Sequence, residues 1–447
     1  MTLFGYILIN LKKISYRNFY TNFHRNLLAL VTSTASQIII QIISLPLFLA
    51  YLTIEKYAIW LLAYNVAQLT GLLDFGSIAY SQNKLSYLNS QRKVTEIDSH
   101  LKQTVNILVL NITLFLFMIF LLQFSGNDKF SAPLITVFVC SNLLQSLWGL
   151  LEALTRFDSK ITIGLYTSNA LRLGEFFGTT VGLFIFSNNL IKVALVSLIF
   201  KTIIFLLMLI PLYPKYRFLK IGLINWNQLI AICMGGIPFF LTKIADFITL
   251  SGLLIVLHGK ISTNQFVLFV ASRTFFRLGL QISSLVAHSY SYEMTSSWVS
   301  RDLNKMKILI KNSNRINIIL TTIGVFIYML VGQNLFAYWV NTKIEMNSLI
   351  ILWGACYSFI LSINQNQKIK FYAVNHNFLV SVIQIAYSIL LVFIVAISKF
   401  DFSVVNLFIL LTIFELACFI TVALTSRNSI YRYFHDLDSI NSIEESN

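Results

Sequence analysis

Two arginines, Arg273 and Arg277, stand four residues apart in a mostly apolar stretch from Asn264 to Gln281. Four residues make about one helical turn, so both side chains fall on one helix face. A guanidinium at bilayer depth costs at least roughly 2.5 to 3.5 kcal/mol, and such residues normally face a bundle interior or a wet cavity. The spacing predicts a positively charged cavity within a membrane and an anionic ligand that binds there.

Polar side chains continue this face at Gln281, Ser284 and His288. We interpret the stripe as cavity-lining, because two cations one turn apart repel each other unless water or an anion lies between them. The alternative is a structural stripe in which the arginines pair with carboxylates or backbone carbonyls and lock two helices together.

Further charged side chains fall in apolar stretches: the bases Arg172, Lys201 and Lys243 and the acids Glu175, Asp246 and Glu415. The spacings predict two local pairs, Arg172 with Glu175 and Lys243 with Asp246, which would lower the cost of insertion. Alternatively, Asp246 or Glu175 exchanges its basic partner for a proton or Na⁺, as intramembrane carboxylates of transporters do. Glu415 is a further coupling candidate, or a protonated carboxyl hydrogen-bonded to a neighbouring helix.

The composition indicates an integral membrane protein, since 57% of the 447 residues are hydrophobic and only 11% are charged. The net charge of +15 would suggest nucleic acid in a soluble chain. Here most basic residues, including Lys368 and Lys370, are predicted in cytoplasmic loops by the positive-inside rule, so no nucleic-acid partner is expected. The four cysteines lack paired spacing, which predicts neither disulfides nor a metal cluster.

Apolar stretches of about 20 residues, the length that crosses a hydrocarbon core, recur twelve times along the chain. They predict an all-α membrane protein of twelve transmembrane helices with both termini in the cytoplasm. The predicted parts are a cytoplasmic arm at 1–26, an N-lobe at 27–212, a basic linker at 213–227, a C-lobe at 228–425 and a cytoplasmic tail at 426–447. The segment from Ser291 to Lys311 is predicted to be an amphipathic surface helix.

Two blocks of sequence resemble a known family. The first contains Tyr57-Ala-Ile-Trp60 and then Leu72-Leu-Asp74-Phe-Gly76, and the second is the basic stripe that ends at Arg301-Asp302. Together they resemble the Wzx-type O-antigen flippases, bacterial polysaccharide translocases of the multidrug/oligosaccharidyl-lipid/polysaccharide exporter superfamily. The chain departs from the family pattern at Ala58, where glycine is usual, and at Tyr292-Glu293, where Pro-Glu is common.

The resemblance implies two six-helix lobes around a central cationic cavity. The implied substrate is an undecaprenyl-pyrophosphate-linked oligosaccharide, moved from the cytoplasmic to the periplasmic leaflet of a bacterial inner membrane by alternating access. Arg273, Arg277, Arg172 and Lys243 would bind its diphosphate, and aromatic and amide side chains would contact its sugar. Gln281 is a further substrate-binding candidate, and H⁺ or Na⁺ would be coupled through Asp246, Glu175 or Glu415. Membrane lipid and the polysaccharide polymerase and chain-length proteins are the implied partners, and no cofactor is implied.

Two other functions stay open. A cation-coupled multidrug exporter of the same superfamily would need acidic residues to dominate its site, whereas the apolar spans hold five bases, namely Arg172, Lys201, Lys243, Arg273 and Arg277, and fewer acids. A non-transporting scaffold for polysaccharide assembly is the other. Catalysis is not expected, because the chain has no phosphate-binding glycine loop, nucleophile elbow or zinc spacing and its outer loops are short.

Overall fold

The structure, a computed structural model, describes residues 16–90, 94–124, 132–157, 161–216, 225–299, 302–340, 345–373, 377–398 and 402–426. Within these ranges every regular element is a helix, which confirms the predicted class. The α-helices are α1 (Tyr16–Tyr51), α2 (Ile54–Ala67), α3 (Ser77–Ser90), α4 (Val94–Phe124), α5 (Ala132–Phe157), α6 (Ile161–Phe186), α7 (Leu190–Tyr216), α8 (Trp226–Phe247), α9 (Leu253–His258), α10 (Thr263–Val299), α11 (Leu303–Val340), α12 (Ser348–Ala373), α13 (Phe378–Ile397) and α14 (Val404–Ser426).

The predicted spans all fall on helices. Among the described residues, nine helical stretches are long and apolar enough to cross a membrane, and α2 with α3 makes a tenth as a bent pair. Helices α6 and α10 complete the predicted twelve, yet they fall short of this apolar standard. Helix α6 carries Arg172 and Glu175, and α10 carries Arg273 and Arg277. The two spans that fall short of the standard are therefore among those that the sequence selects for function.

The chain forms two compact units. The first unit comprises Met1–Ala271 and Ala337–Ile344, and the second comprises Ser272–Phe336 and Glu345–Asn447. Helix α8 belongs to the first unit, where it packs against α3 and α4. These units do not coincide with the lobes expected at 27–212 and 228–425, which stay a prediction of membrane topology. Residues 1–15, 217–224 and 427–447, which contain most of the expected arm, linker and tail, lie outside the described residues.

Three glycines let α6 and α7 approach closely in the first unit. Gly174, Gly178 and Gly182 recur every four residues, the spacing that brings small residues onto one face of a membrane helix. A Cβ on Gly178 would lie only 2.7 Å from the Cα of Ser197. This close contact holds the polar side chains of α6 against those of α7.

The second span breaks between α2 and α3, with a bend of 51°. A 3-10 turn at Gln68–Leu72 leads to Phe75 (φ 49°) and Gly76 (φ 71°), both in the left-handed region that favours glycine. A Cβ on Gly76 would lie 2.3 Å from the carbonyl oxygen of Gly236 in α8. Only glycine therefore fits where this break touches α8.

The predicted surface helix at Ser291–Lys311 is wrong. Helix α10 continues to Val299 and α11 begins at Leu303, so the segment is divided between the ends of two spans. Its apolar side chains Met294 and Met306 are buried against each other and against Ala373 at the end of α12. The apolar pattern that suggested a membrane surface reflects packing between three extended helices.

Candidate functional site

The arginine pair lies on α10 in the second unit. Arg273 is 6% exposed and lies within electrostatic reach of Arg277 and of Tyr357 on α12. Arg277 and Gln281 are half-buried. The side chains of Ser284 and His288 lie outside the described set, so the predicted stripe is seen only as far as Gln281. Of its two arginines, Arg277 is the more accessible to a ligand.

Aromatic packing fixes the helix that carries this pair. Phe276 is fully buried, and its ring stands 5.5 Å from that of Phe408 and 5.3 Å from that of Tyr328. The Tyr328 hydroxyl donates to the Phe275 carbonyl at 2.9 Å and accepts from the Gly279 amide at 2.9 Å. These contacts flank Arg277 in sequence on both sides and limit rotation of the helix about its axis.

The bases of the first unit fall into two kinds, and Arg172 is of the first kind. Its guanidinium donates to the neutral amide oxygen of Gln37 on α1 at 3.2 Å. The local pair predicted with Glu175 does not form, because Glu175 lies against a different base. Across the described chain, no carboxylate makes an ion pair with Arg172 or with Arg277, so both guanidiniums keep their charge available.

Lys201 is a base of the second kind, because it is paired with a carboxylate, that of Glu175. The Lys201 ammonium on α7 lies 2.7 Å from the Glu175 carboxylate on α6, and its side chain is only 2% exposed. It also donates to the Ser141 hydroxyl on α5 at 2.8 Å. A partner of opposite sign and further hydrogen bonds offset the cost of burying a charge, and this arrangement supplies both. Lys201 is therefore neutralised within the protein.

Lys243 on α8 pairs with Asp74 at the break of the second span. The expected local partner was Asp246, and Asp74 entered the sequence analysis only as part of a motif. Asp74 also accepts from the backbone amide of Gly76 at 3.0 Å. The two side chains differ in access, since that of Asp74 is 6% exposed and that of Lys243 is 38% exposed.

Glu415 lies on α14 in the second unit, where the fully buried Asn364 of α12 donates to its carboxylate at 2.6 Å. This contact agrees with the simpler of the two interpretations, a carboxyl hydrogen-bonded to a neighbouring helix. It leaves the coupling role untested. A neutral partner means that Glu415 can take up a proton without an ion pair being broken.

A polar seam on α12, which was not predicted from the sequence, is formed by Ser358, Ser362, Asn366 and Lys370 at intervals of four residues. Each contacts α10 or α11: Ser358 donates to the Phe276 carbonyl, Ser362 bonds Thr321, Asn366 bonds Ser313, and Lys370 donates to Asn314 at 2.6 Å. Lys368 and Lys370 are 5% and 4% exposed and lie inside α12, so the prediction that they lie in a loop was wrong. The interval of four, which continues the helix beyond the apolar stretch, could have revealed the seam.

The described residues offer no metal centre. Nowhere among them do three His, Cys, Asp or Glu side chains gather as metal ligands would. Cys140, Cys233, Cys356 and Cys418 are free thiols.

No protein-family model matches the chain, and no curated protein matches it in sequence. Solved structures match its fold. A MOP superfamily transporter from Pyrococcus furiosus aligns with a TM-score of 0.73 at 12% identity over 92% of this chain and 95% of its own. An outward-facing multidrug resistance MATE family transporter of the same superfamily aligns with a TM-score of 0.73 at 13% identity, over 92% and 96%. The chain has the fold of the MOP superfamily.

The MOP fold consists of twelve transmembrane helices in two lobes, as the sequence predicts for this chain. It explains why α6 and α10 cross the membrane although they are less apolar than the other spans. At 12% to 13% identity the likeness concerns the fold, so the substrate must be argued from the side chains of this chain.

Proposed function

We propose that the protein is a flippase for undecaprenyl-pyrophosphate-linked oligosaccharide, the repeat unit of O-antigen or a related surface polysaccharide. It moves this lipid from the cytoplasmic to the periplasmic leaflet by alternating access of a MOP fold. A diphosphate and its sugars cannot cross hydrocarbon unaided, whereas the prenyl tail can stay in lipid. The protein therefore needs only to shelter an anionic, sugar-bearing head group.

The observation that carries this proposal is the uncompensated charge of Arg172 and Arg277. Both guanidiniums lie in membrane spans without an ion pair to a described carboxylate, and Arg172 donates to the neutral amide of Gln37. Guanidinium groups bind phosphate oxygens bidentately and are weakly hydrated, which suits them to a desolvated diphosphate. Lys243 and Arg273 would add positive charge, and Gln281 would bind a sugar hydroxyl.

Ion coupling completes the proposed cycle. Glu415 is the strongest candidate, because its described partner is the neutral Asn364 and not a base. Glu175 is held by Lys201, so protonation there would first have to separate a buried ion pair. Asp246 is the third candidate. A proton or Na⁺ acting on one of these carboxylates would bias the two states of the transporter.

The membrane and its partners follow from the same proposal. The protein belongs in a bacterial inner membrane with both termini in the cytoplasm, since its basic residues gather in the loops assigned to that side. Lipid-linked glycan would pass from it to the polymerase and chain-length proteins of polysaccharide assembly.

The second candidate, a cation-coupled multidrug exporter, has one observation in its favour, the fold of a multidrug resistance MATE transporter. Its weakness is electrostatic. An organic cation needs an accessible carboxylate. Glu175 and Asp74 are each already paired with a lysine, which leaves Glu415, bonded to the amide of Asn364, to serve a cation. The MOP transporter from Pyrococcus furiosus is described as having a binding pocket of reverse polarity that suggests a different function. The sign of the charge can therefore differ between proteins of this fold.

The test is to replace Arg277 by Gln and to measure flipping of prenyl-diphosphate-linked glycan in proteoliposomes. Removing a charge-assisted hydrogen bond worth roughly 1.5–3 kcal/mol should lower flipping about ten- to a hundredfold. Arg172→Gln should act in the same direction. Lys102→Gln is the matched control, because Lys102 is 42% exposed in a surface pair with Asp98.

Three outcomes separate the candidates. Normal flipping by an Arg277→Gln protein that inserts at the usual level would overturn the assigned arginine site. Absence of flipping by the wild type, with normal surface glycan in cells that express Arg277→Gln, would favour a scaffold. Export of cationic dyes by the wild type without glycan flipping would favour the multidrug exporter.

A further inference from the structure

Two sequence motifs that are about 160 residues apart meet in the first unit. Asp74-Phe75-Gly76 forms the break in the second span, and Gly235-Gly236-Ile-Pro238 lies in α8. Their backbones touch at Gly76 and Gly236, and the Phe75 ring lies 5.3 Å from the ring of Phe240. The ion pair between Asp74 and Lys243 closes the same contact. The break is thus fastened to α8 by backbone, aromatic and ionic contacts.

The two members of the ion pair are not equivalent. Asp74 is almost fully buried, and its second carboxylate oxygen is fixed by the Gly76 amide. Lys243 has a flexible stem, and 38% of its side chain is exposed. If the pair separates, Asp74 keeps one partner and stays in place, whereas the ammonium can turn to another anion. Lys243 is the movable half.

Helix α8 is irregular on both sides of Lys243. Pro238 lies inside the helix and has no amide hydrogen to donate to the preceding turn. A π-helical turn follows at Ile248–Gly252. Such turns are rare in proteins, and those that occur are often found at functional sites. The segment that carries Lys243 is therefore bounded by two positions at which a helix can bend without loss of further backbone hydrogen bonds.

We propose that Asp74 is an intramolecular competitor for the substrate diphosphate at Lys243. In the resting protein the carboxylate holds Lys243 and fastens α8 to the broken span. A diphosphate that reaches Lys243 displaces Asp74, and α8 is then released from the break. Asp74 is thus a positioning residue that acts through Lys243. The proposal rests on the proposed function, because it requires an anionic head group.

This competition predicts that substitutions of Asp74 and of Lys243 change the affinity for diphosphate in opposite directions. Asp74→Asn keeps an oxygen for the Gly76 amide and removes the negative charge, so Lys243 is freed in a nearly unchanged structure. Apparent affinity rises when the fraction of binding-competent protein rises. Asp74→Asn should therefore bind diphosphate about tenfold more tightly. That factor corresponds to a resting protein in which Lys243 is paired with Asp74 about nine-tenths of the time. Lys243→Gln should bind it more weakly.

The experiment is titration of the purified full-length protein in nanodiscs with farnesyl diphosphate and, separately, with inorganic diphosphate. Asp74→Asn should tighten both, and the double variant Asp74→Asn/Lys243→Gln should bind like Lys243→Gln alone. Lys243→Arg should restore binding, because it restores the charge. Asp98→Asn is the matched control, since it removes the acid of an exposed lysine pair and should change neither affinity.

The outcomes are distinguishable. Tighter binding by Asp74→Asn that requires Lys243 supports the competition. Unchanged or weaker binding by a folded Asp74→Asn protein overturns it. That result is the one expected if the ion pair only holds the helices together. If binding still falls in Arg277→Gln, the flippase proposal survives that failure. If none of Arg172→Gln, Arg277→Gln and Lys243→Gln changes diphosphate binding, the flippase proposal fails as well. If Asp74→Asn binds only farnesyl diphosphate more tightly, the gain in affinity comes from the prenyl tail and not from the anion. That result also counts against the competition.

Discussion

The two units treat buried charge differently. In the first unit, Lys201 and Lys243 each contact a carboxylate, Glu175 and Asp74 respectively. In the second unit, the buried Lys370 donates to the amide oxygens of Asn314 and Gln367, at 2.6 and 2.8 Å. The same residue type is therefore neutralised by an acid in one unit and solvated by amides in the other.

The difference separates charges that hold helices together from charges that can meet a ligand. A lysine that is tied to a carboxylate has little attraction left for an outside anion. A base whose described partner is an amide keeps its net charge, as Arg172 does beside Gln37. Partner type, more than depth in the bilayer, therefore ranks the bases as candidates for diphosphate binding. By this criterion Lys370 joins the candidates that the sequence selected, and Lys243 becomes available to an anion only when its pair with Asp74 separates.

The largest effect should come from breaking the buried pair of the first unit. Glu175→Leu leaves Lys201, whose side chain is 2% exposed, without its counter-charge. Removal of one partner from a buried pair costs roughly 3–5 kcal/mol. We expect that loss in the free energy of unfolding, measured by chemical denaturation in lipid–detergent micelles.

A double variant checks the cause. Glu175→Leu/Lys201→Met removes both charges and should recover most of the lost stability, because a buried pair replaced by apolar residues is often nearly neutral. If the double variant is as unstable as Glu175→Leu, the loss comes from the packing of α6 on α7, and the pair has no special role.

An intermediate effect is expected from the corresponding change in the second unit. Asn314→Ala removes the oxygen that accepts from both Lys370 and Asn366. An unsatisfied buried donor costs roughly 1–3 kcal/mol, so the free energy of unfolding should fall by about that amount. The measurement is the same denaturation experiment.

Asn314→Asp sharpens the contrast, because it gives Lys370 the kind of partner that Lys201 has. It should be at least as stable as the wild type and should bind inorganic diphosphate no better. A clear gain in diphosphate affinity would contradict the view that an acidic partner withdraws a base from ligand binding.

The sequence predicted the helices well, because long apolar runs must be helical in a bilayer and their number is readable from hydropathy. It also selected Arg172 and Arg277 as binding residues by type and depth, which stays a prediction. It failed on partners. The spacing of Arg172 and Glu175 suggested a pair within one helix, yet Glu175 reaches Lys201 on the next helix because Gly178 and Gly182 bring the two backbones together.

The helix ends were the other failure. Lys370 follows an apolar stretch and was assigned to a loop by charge alone. It lies inside α12 because that helix runs on past the apolar stretch to Ala373, where it packs with the ends of α10 and α11. Charge marks the limit of hydrocarbon in a sequence, but neighbouring helices decide where a span ends. Asp74 was likewise seen as a motif residue and not as the partner of Lys243, since the two are brought together only by the fold.

The smallest effect should come from the exposed pair in α4, where the Lys102 ammonium lies 2.6 Å from the Asp98 carboxylate and the side chains are 42% and 41% exposed. Pairs of this kind, four residues apart on a helix, contribute about 0.3–0.5 kcal/mol. Lys102→Gln should lower the free energy of unfolding by no more than that, and the difference should disappear in high salt because water and ions screen the pair.

The Glu175→Leu loss should persist in the same salt. Equal losses at the two sites, or equal sensitivity to salt, would show that pairing alone sets the cost. The expected inequality would show that burial turns an ordinary lysine pair into a structural element of the first unit.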